Sequence, residues 1–179
     1  MATQTSALSR RTSLVVNTGK YNPYKGPIVW LDVETTSDDV HKAQVLEIAV
    51  VITDQWLNKA DPKGVQYVIQ RDVDTLQNMH PVCLDMHTKS GLVDACKKSQ
   101  HSKDFVENAV LRYIQKWVPK KGFAFLGGNS VHFDRFILMR EMPSIINYLH
   151  YRNVDVSVLM FECRALFPDC APSIYGNHR

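Results

Sequence analysis

The 179-residue sequence has no C-x-x-C pair, no apolar run near the roughly 20 residues that cross a bilayer, and no Asp or Glu in its first 26 residues. Each absence excludes something. Without the long run, no membrane span is expected. Without paired cysteine spacing, Cys83, Cys96, Cys163 and Cys170 read as reduced, mostly buried thiols of a reducing compartment. A zinc site built from Cys163, Cys170 and His178 is set aside, because their spacing fits no standard pattern. The acid-free start carries Arg10, Arg11, Lys20 and Lys25 among Ser, Thr and Asn, and lacks the apolar stretch of a secretory signal. Residues 1–26 are therefore expected to be a disordered basic arm or a mitochondrial transit peptide, and the protein cytoplasmic or mitochondrial. Internal repeats and low-complexity tracts are also lacking.

What remains is the composition of one globular domain over residues 27–179, with 45% hydrophobic and 22% charged residues. A net charge of +3 and a pI near 8.6 tolerate a polyanionic partner without demanding one.

Residues 28–36, 44–54 and 65–70 read as three strands in a meander, the second dense in β-branched residues and expected to be buried on both faces. Residues 72–91 read as short helical pieces and loops. Ser102 is placed to cap a helix whose apolar residues, from Phe105 to Trp117, recur at helical spacing until Pro119 stops it. A short strand over 123–126 ends at Gly127 and Gly128. Helical segments up to Pro143 and over 144–149, a strand around Val154 and a helix over 156–166 follow. Strands first, then strands alternating with helices, give a mixed α/β domain: a central sheet of an antiparallel meander plus parallel strands, covered by helices. Such sheets present their sites at strand ends.

The first strand, IVWLDVETT, holds two carboxylates in an otherwise apolar run. Alternation puts Asp32 and Glu34 on one face, where two like charges are costly to half-bury unless a proton or cation sits between them. Hard Mg²⁺ or Mn²⁺ suits such oxygens. A solvated strand end, or an acid capping the next element, is the alternative. Asp134, in NSVHFDRF, falls in the first turn of a helix, where the helix dipole alone favours an acid; there it shares a face with Leu138.

The segments VWLDVETT, QVLEIAVVITD, HTKSGL, GNSVHFDR, YLHYRNVDVS and the final HR resemble, in order and spacing, the oligoribonucleases of the DEDDh exonuclease superfamily, which have a ribonuclease H-like fold. The resemblance covers residues 28–179. It implies that Asp32, Glu34 and Asp134 are catalytic metal ligands for two Mg²⁺ or Mn²⁺ ions, and that His178 is the general base that draws a proton from the attacking water. It also implies that Tyr151 and Arg152, with Asn129 and Ser130 nearby, recognise the terminal phosphate of the substrate. The pair Tyr151 and Arg152 would act across a homodimer interface. The implied reaction is release of nucleoside 5′-monophosphates from the 3′ end of short single-stranded RNA. His150 is expected to be structural, and His41, His80, His87, His101 and His132 to be loop or packing residues.

Departures from the family pattern temper the expectation. The family's last carboxylate lies five residues beyond the histidine, on a closing helix, whereas this sequence runs to Arg179; taken as it stands, the fourth ligand and that helix are expected to be missing, and one ion to be held weakly. Thr35, Thr36, Ser37 and Asp38 stand where the family has Met-Thr-Gly-Leu, so an acid replaces an apolar wedge. Val82 stands near the position of a stacking Trp. A degenerate paralogue that serves as a binding or structural component of a larger assembly is the competing expectation; an exonuclease of DNA or longer RNA is a weaker one.

Overall fold

The computed structural model describes residues 26–170, so the basic arm up to residue 25, His178 and the chain end lie outside the described residues. The core is a five-stranded sheet in the order β3-β2-β1-β4-β5. Its strands are Ile28–Thr35 (β1), Val45–Thr53 (β2), Val65–Val68 (β3), Phe125–Gly128 (β4) and Asn153–Asp155 (β5). The first three form the expected antiparallel meander, and β4 and β5 join in parallel. The helices are Val73–Gln77 (α1), Pro81–Ser90 (α2), Leu92–Lys98 (α3), Lys103–Trp117 (α4), His132–Glu141 (α5), Pro143–Tyr148 (α6) and Val156–Leu166 (α7), with a short 3-10 turn over Pro168–Cys170.

Alternation along β1 divides the molecule. Val29 and Leu31 are buried with Ile48, Val50 and Ile52 of β2 in a core that α4, α5 and α6 close with Val106, Val110, Ile114, Ile137, Leu138 and Ile145. On the other face Trp30, Asp32 and Glu34 stand opposite Val51, Ala49 and Glu47. Burial on both faces of β2 is thus corrected: Glu47, Ala49 and Val51 are half-buried, because the α4–α6 layer lies on the opposite side. A smaller cluster of Leu46, Leu76, Met79, Leu92, Val93 and Cys96 seats α1 to α3 beside β3.

Two other expectations are met and two need correcting. Residues 72–91 form the expected short helical pieces, α1 and α2, and an unexpected α3 follows: Asp72 caps α1 by accepting from the Thr75 N–H, and Gly91, at φ 82°, passes the chain from α2 into α3. The strand expected over 123–126 runs over Phe125–Gly128, so Gly127 and Gly128 are its last two residues, and a Cβ on Gly127 would come within 2.6 Å of Ile28 Cγ2 and 2.8 Å of Trp30 Cε3. Among the described thiols only Cys96 is buried; Cys83 is half-buried and Cys163 exposed, all three free. The Ser102 cap is as expected, its side chain accepting from the Phe105 N–H.

Because Gly127 admits the Trp30 ring, Gly127→Ala is expected to cost about 1 to 3 kcal/mol through overpacking, measured by urea denaturation followed by Trp fluorescence. Unchanged stability would show that the ring can move aside.

Candidate active site

At the C-terminal end of the parallel strands, β1 outlasts β4. Register pairs Ile28, Val29 and Trp30 with Phe125, Leu126 and Gly127, and there the ladder stops. The Phe125 N–H binds the Pro27 carbonyl, so the backbone of odd-numbered β1 residues points toward β4. Once β4 has turned away, the next such N–H, that of Val33, is taken by Asp134, whose Oδ1 accepts it at 3.1 Å. One carboxylate thereby replaces a strand and pins the first turn of α5 to the middle of the sheet.

The position is electrostatically costly. Asp134 is only 6% exposed, and burial pushes its carboxyl up to about 6 against the pull of the Val33 N–H, with neighbouring Asp32 pushing the same way. Arg135, adjacent in sequence, does not relieve it: its guanidinium donates to the His150 carbonyl at 3.4 and 3.3 Å and to Asn153 at 3.0 Å. The structure therefore brings Asp32 and Asp134 together. Glu34 shares a face with Asp32, and its Oε2 lies 3.9 Å from His87 Nδ1. Among the described residues no three of His, Cys, Asp and Glu stand within common reach of one metal ion. The donors fit Mg²⁺ or Mn²⁺ in kind, being hard carboxylate oxygens in a spot with surplus negative charge, but the set is not a closed cage.

Asn129 and Ser130 follow β4 at this same end. Ser130 sits at φ 51°, and its N–H donates to Asp155 Oδ1 at 3.0 Å. Asp155 also accepts from the Ser157 N–H and hydroxyl and stands 3.4 Å from His132 Nδ1. Burial opposes ionisation of its carboxyl, yet the bonds from Ser157, His132 and Ser130 hold it below the usual carboxylate range. Tyr151 and Arg152 lie elsewhere. They precede β5, and since Asn153 pairs with Leu126, they are about five strand residues, roughly 16 Å, from Ser130 along the sheet. Tyr151 is 71% exposed, stacked on His150 with ring centroids 4.5 Å apart, while the Arg152 guanidinium lies 5.0 Å over its ring. His150 is buried and accepts from the Arg152 N–H, the structural role expected of it.

Three features escaped the sequence reading. Glu47 stands opposite Glu34 across β1 and β2, a third acid on that face that only the register exposes. Asp155 ties the Ser130 turn to the start of α7. His87, taken for a packing residue, is 2% exposed and meets the last residue of β1. The two departures in sequence fall on the same rim. Asp38 and Val82 are both exposed, and the thiol of Cys83, next to Val82, is pushed up by burial, by Asp38 and by Glu34.

Comparison with known proteins bears on this geometry. Residues 29–178 match the RNase T family model, described as exonuclease. The chain is 39% identical over 180 residues to the probable oligoribonuclease of Schizosaccharomyces pombe, covering 100% of this chain and 71% of that one. It is 40% identical over 155 residues to the probable oligoribonuclease of Drosophila melanogaster, covering 85% and 72%. The mitochondrial oligoribonuclease of Saccharomyces cerevisiae is 38% identical over 144 residues, 77% of this chain and 54% of that protein. Among solved structures, exonuclease I of Methylocaldum szegediense superposes with a TM-score of 0.62 at 15% identity over 81% of this chain, and E. coli exonuclease I in complex with a dT13 oligonucleotide with 0.61 at 15% over 82%. This chain spans only 31% of either, so the likeness is one of fold. A split-strand site with two acids at its edge, on an exonuclease fold and in a sequence that matches the family model over residues 29–178 and the first two relatives over 71% and 72% of their length, makes this chain a member of the oligoribonuclease family of 3′–5′ exoribonucleases.

Proposed function

We propose that this chain hydrolyses very short single-stranded RNA from the 3′ end to nucleoside 5′-monophosphates, at a centre of two divalent ions held by Asp32, Glu34 and Asp134. The observation that carries the reading is the buried Asp134 carboxylate, held in place by Val33 and raised in proton affinity by its burial and by Asp32. Nothing about sheet packing requires an acid there. A divalent cation is what that surplus of negative charge would take up. Bound there, Mg²⁺ or Mn²⁺ would neutralise charge on the phosphorus oxygens and make water a better nucleophile. Asp134 and Asp32 would orient the scissile phosphate at the split between β1 and β4. Asn129 and Ser130, at the same strand ends, would hold the substrate beside it. His178 would take the proton of the attacking water, a duty suited to a group that titrates near neutrality.

Tyr151 and Arg152 would serve the site of a second copy. Their distance from Ser130 within one chain, and the exposed Phe136, Met139, Val158, Leu159 and Phe161, support a homodimer. The acid-free arm and the mitochondrial relative are in keeping with a cytoplasmic or mitochondrial setting, and no helix among the described residues is long and apolar enough to cross a membrane.

A second reading, a binding protein with this fold and no turnover, draws support from the lack of three ligands within common reach and from Asp38 and Val82 on the rim. Incubation with a labelled diribonucleotide and Mn²⁺ separates the two. The nuclease reading expects mononucleotide release that EDTA stops and that Asp32→Ala lowers at least about 100-fold, the scale of several kcal/mol of lost charge stabilisation. Retention of the dinucleotide uncleaved would favour the binding protein.

The Asp134 carboxyl makes a separate prediction. Its folded-state value exceeds that of an unfolded Asp, so the folded state binds the proton more tightly and this group's contribution to stability falls as pH rises from about 4 to 6. The ionised form then costs about 3 kcal/mol in metal-free protein. Asp134→Asn, which can still accept from Val33, is expected to match the wild type near pH 3.5 and to be more stable at pH 7 by denaturant titration. Mn²⁺ should raise the melting temperature of the wild type at pH 7 and leave that of Asp134→Asn in place. Parallel curves across the pH window would contradict the assignment.

A further inference from the structure

The end of β1 is held from two sides: β2 keeps its edge, with Thr35 opposite Val45 and the Thr36 N–H on the Gln44 carbonyl, but leaves the carbonyls of Thr35 and Thr36 to other partners. The β1–β2 ladder shifts register between Glu34 and Thr35, which disturbs strand hydrogen bonding where Glu34 must be placed. Those two consecutive carbonyls meet α2 and the residue that precedes it. The Thr36 carbonyl accepts the His80 N–H at 2.9 Å, and the Thr35 carbonyl lies 2.9 Å from His87 Nε2. A carbonyl is only an acceptor, so Nε2 carries the hydrogen, and the other ring nitrogen, Nδ1, is the one turned toward Glu34.

His87 is also the sole buried residue of α2, on a helix whose remaining side chains are exposed or half-buried. A leucine would fill such a spot at less desolvation cost. An imidazole is explained by the carbonyl it meets.

We propose that His87 is a positioning residue, clamping the Thr35 carbonyl so that the adjacent Glu34 carboxylate is held in its place at the divalent-ion centre. The clamp acts through the backbone: the 2.9 Å contact is within hydrogen-bond range, whereas the 3.9 Å approach of Nδ1 to Glu34 is not. The inference rests on the reading of Glu34 as an ion ligand. A residue that orients a ligand from behind typically governs metal affinity by 10- to 100-fold, on the order of what its loss would show.

The test is Mn²⁺ binding to the intact chain, followed by the electron paramagnetic resonance signal of the free ion, with thermal melting by circular dichroism alongside. His87→Ala is expected to weaken Mn²⁺ at least about tenfold. His87→Gln, whose amide nitrogen can occupy the place of Nε2, is expected to return the affinity to within about threefold of the wild type, since the bond to Thr35 is regained. His87→Asn, too short for that carbonyl, is expected to behave as alanine does, and the Gln and Asn pair decides the matter should the alanine variant fail to fold. A lower melting temperature with Mn²⁺ affinity unchanged in His87→Ala, or equal affinities for Gln and Asn, overturns the clamp and leaves the ion reading standing. A wild-type chain that binds no Mn²⁺ overturns the ion reading and the clamp together.

Discussion

One hydrogen bond organises this end of the molecule: the Val33 N–H given to the Asp134 carboxylate where β4 leaves β1. A parallel strand that turns away exposes a backbone donor in the middle of the sheet, and an unpaired buried donor costs about 1 to 3 kcal/mol. An amide or hydroxyl on α5 would satisfy it. A carboxylate does so while adding a charge that burial and Asp32 both oppose. Packing alone therefore favours a neutral acceptor, and the acid keeps its place at a cost in free energy unless a proton or a cation offsets its charge. The same bond fixes the direction of α5, whose Ile137 and Leu138 then fall into the main core, so the site and the core are built by one constraint.

Around it the chain breaks local rules in a small space. Glu34 faces Glu47 across two strands, a like-charged pair that is ordinarily unfavourable. Ser130 adopts a left-handed conformation better suited to glycine or asparagine, and Asp155 accepts its N–H. The register slips after Glu34. Leu57, at φ 67° in the β2–β3 turn, is the one comparable departure elsewhere among the described residues, and there Asp54 secures the turn by accepting from Trp56 and Asn58. Departures gathered at a strand-end crevice, each with its own hydrogen-bonded support, mark a place where geometry is maintained against local preference.

How much of this was legible in the sequence differs by element. The meander could be read because β-branched runs and turn residues are local signals, as could the Ser102 cap, which needs only its own first turn. Helix α3 was missed because its pattern of Leu92, Val93 and Cys96 is short and makes sense only against Leu46 of β2. The glycines of β4 looked like a strand end because a glycine in isolation reads as a breaker; the Trp30 ring that requires one at Gly127 is almost a hundred residues away. In the candidate site, alternation placed Asp32 and Glu34 on one face, while a role for them came only with the resemblance. Asp134 was recognisable only by resemblance, since an acid in a first turn has an ordinary explanation. Glu47, His87 and Asp155 act through register and tertiary contacts, for which the sequence holds no local mark.

The placement of Tyr151 and Arg152 follows from strand direction rather than from side-chain chemistry. In parallel strands the residues after one strand and before the next lie at opposite ends, so a β4–β5 unit cannot bring the Ser130 turn and the Tyr151–Arg152 pair to the same spot within one chain. Arg135 reinforces the separation, because it spends its guanidinium on the His150 carbonyl and Asn153 and so fixes the approach to β5 at its far end. His150 does the same from below, donating its N–H to the Ala124 carbonyl and stacking under Tyr151. The result is an exposed aromatic, stacked on His150 and covered by the Arg152 guanidinium, mounted at the opposite end of β5 from the Ser130 turn.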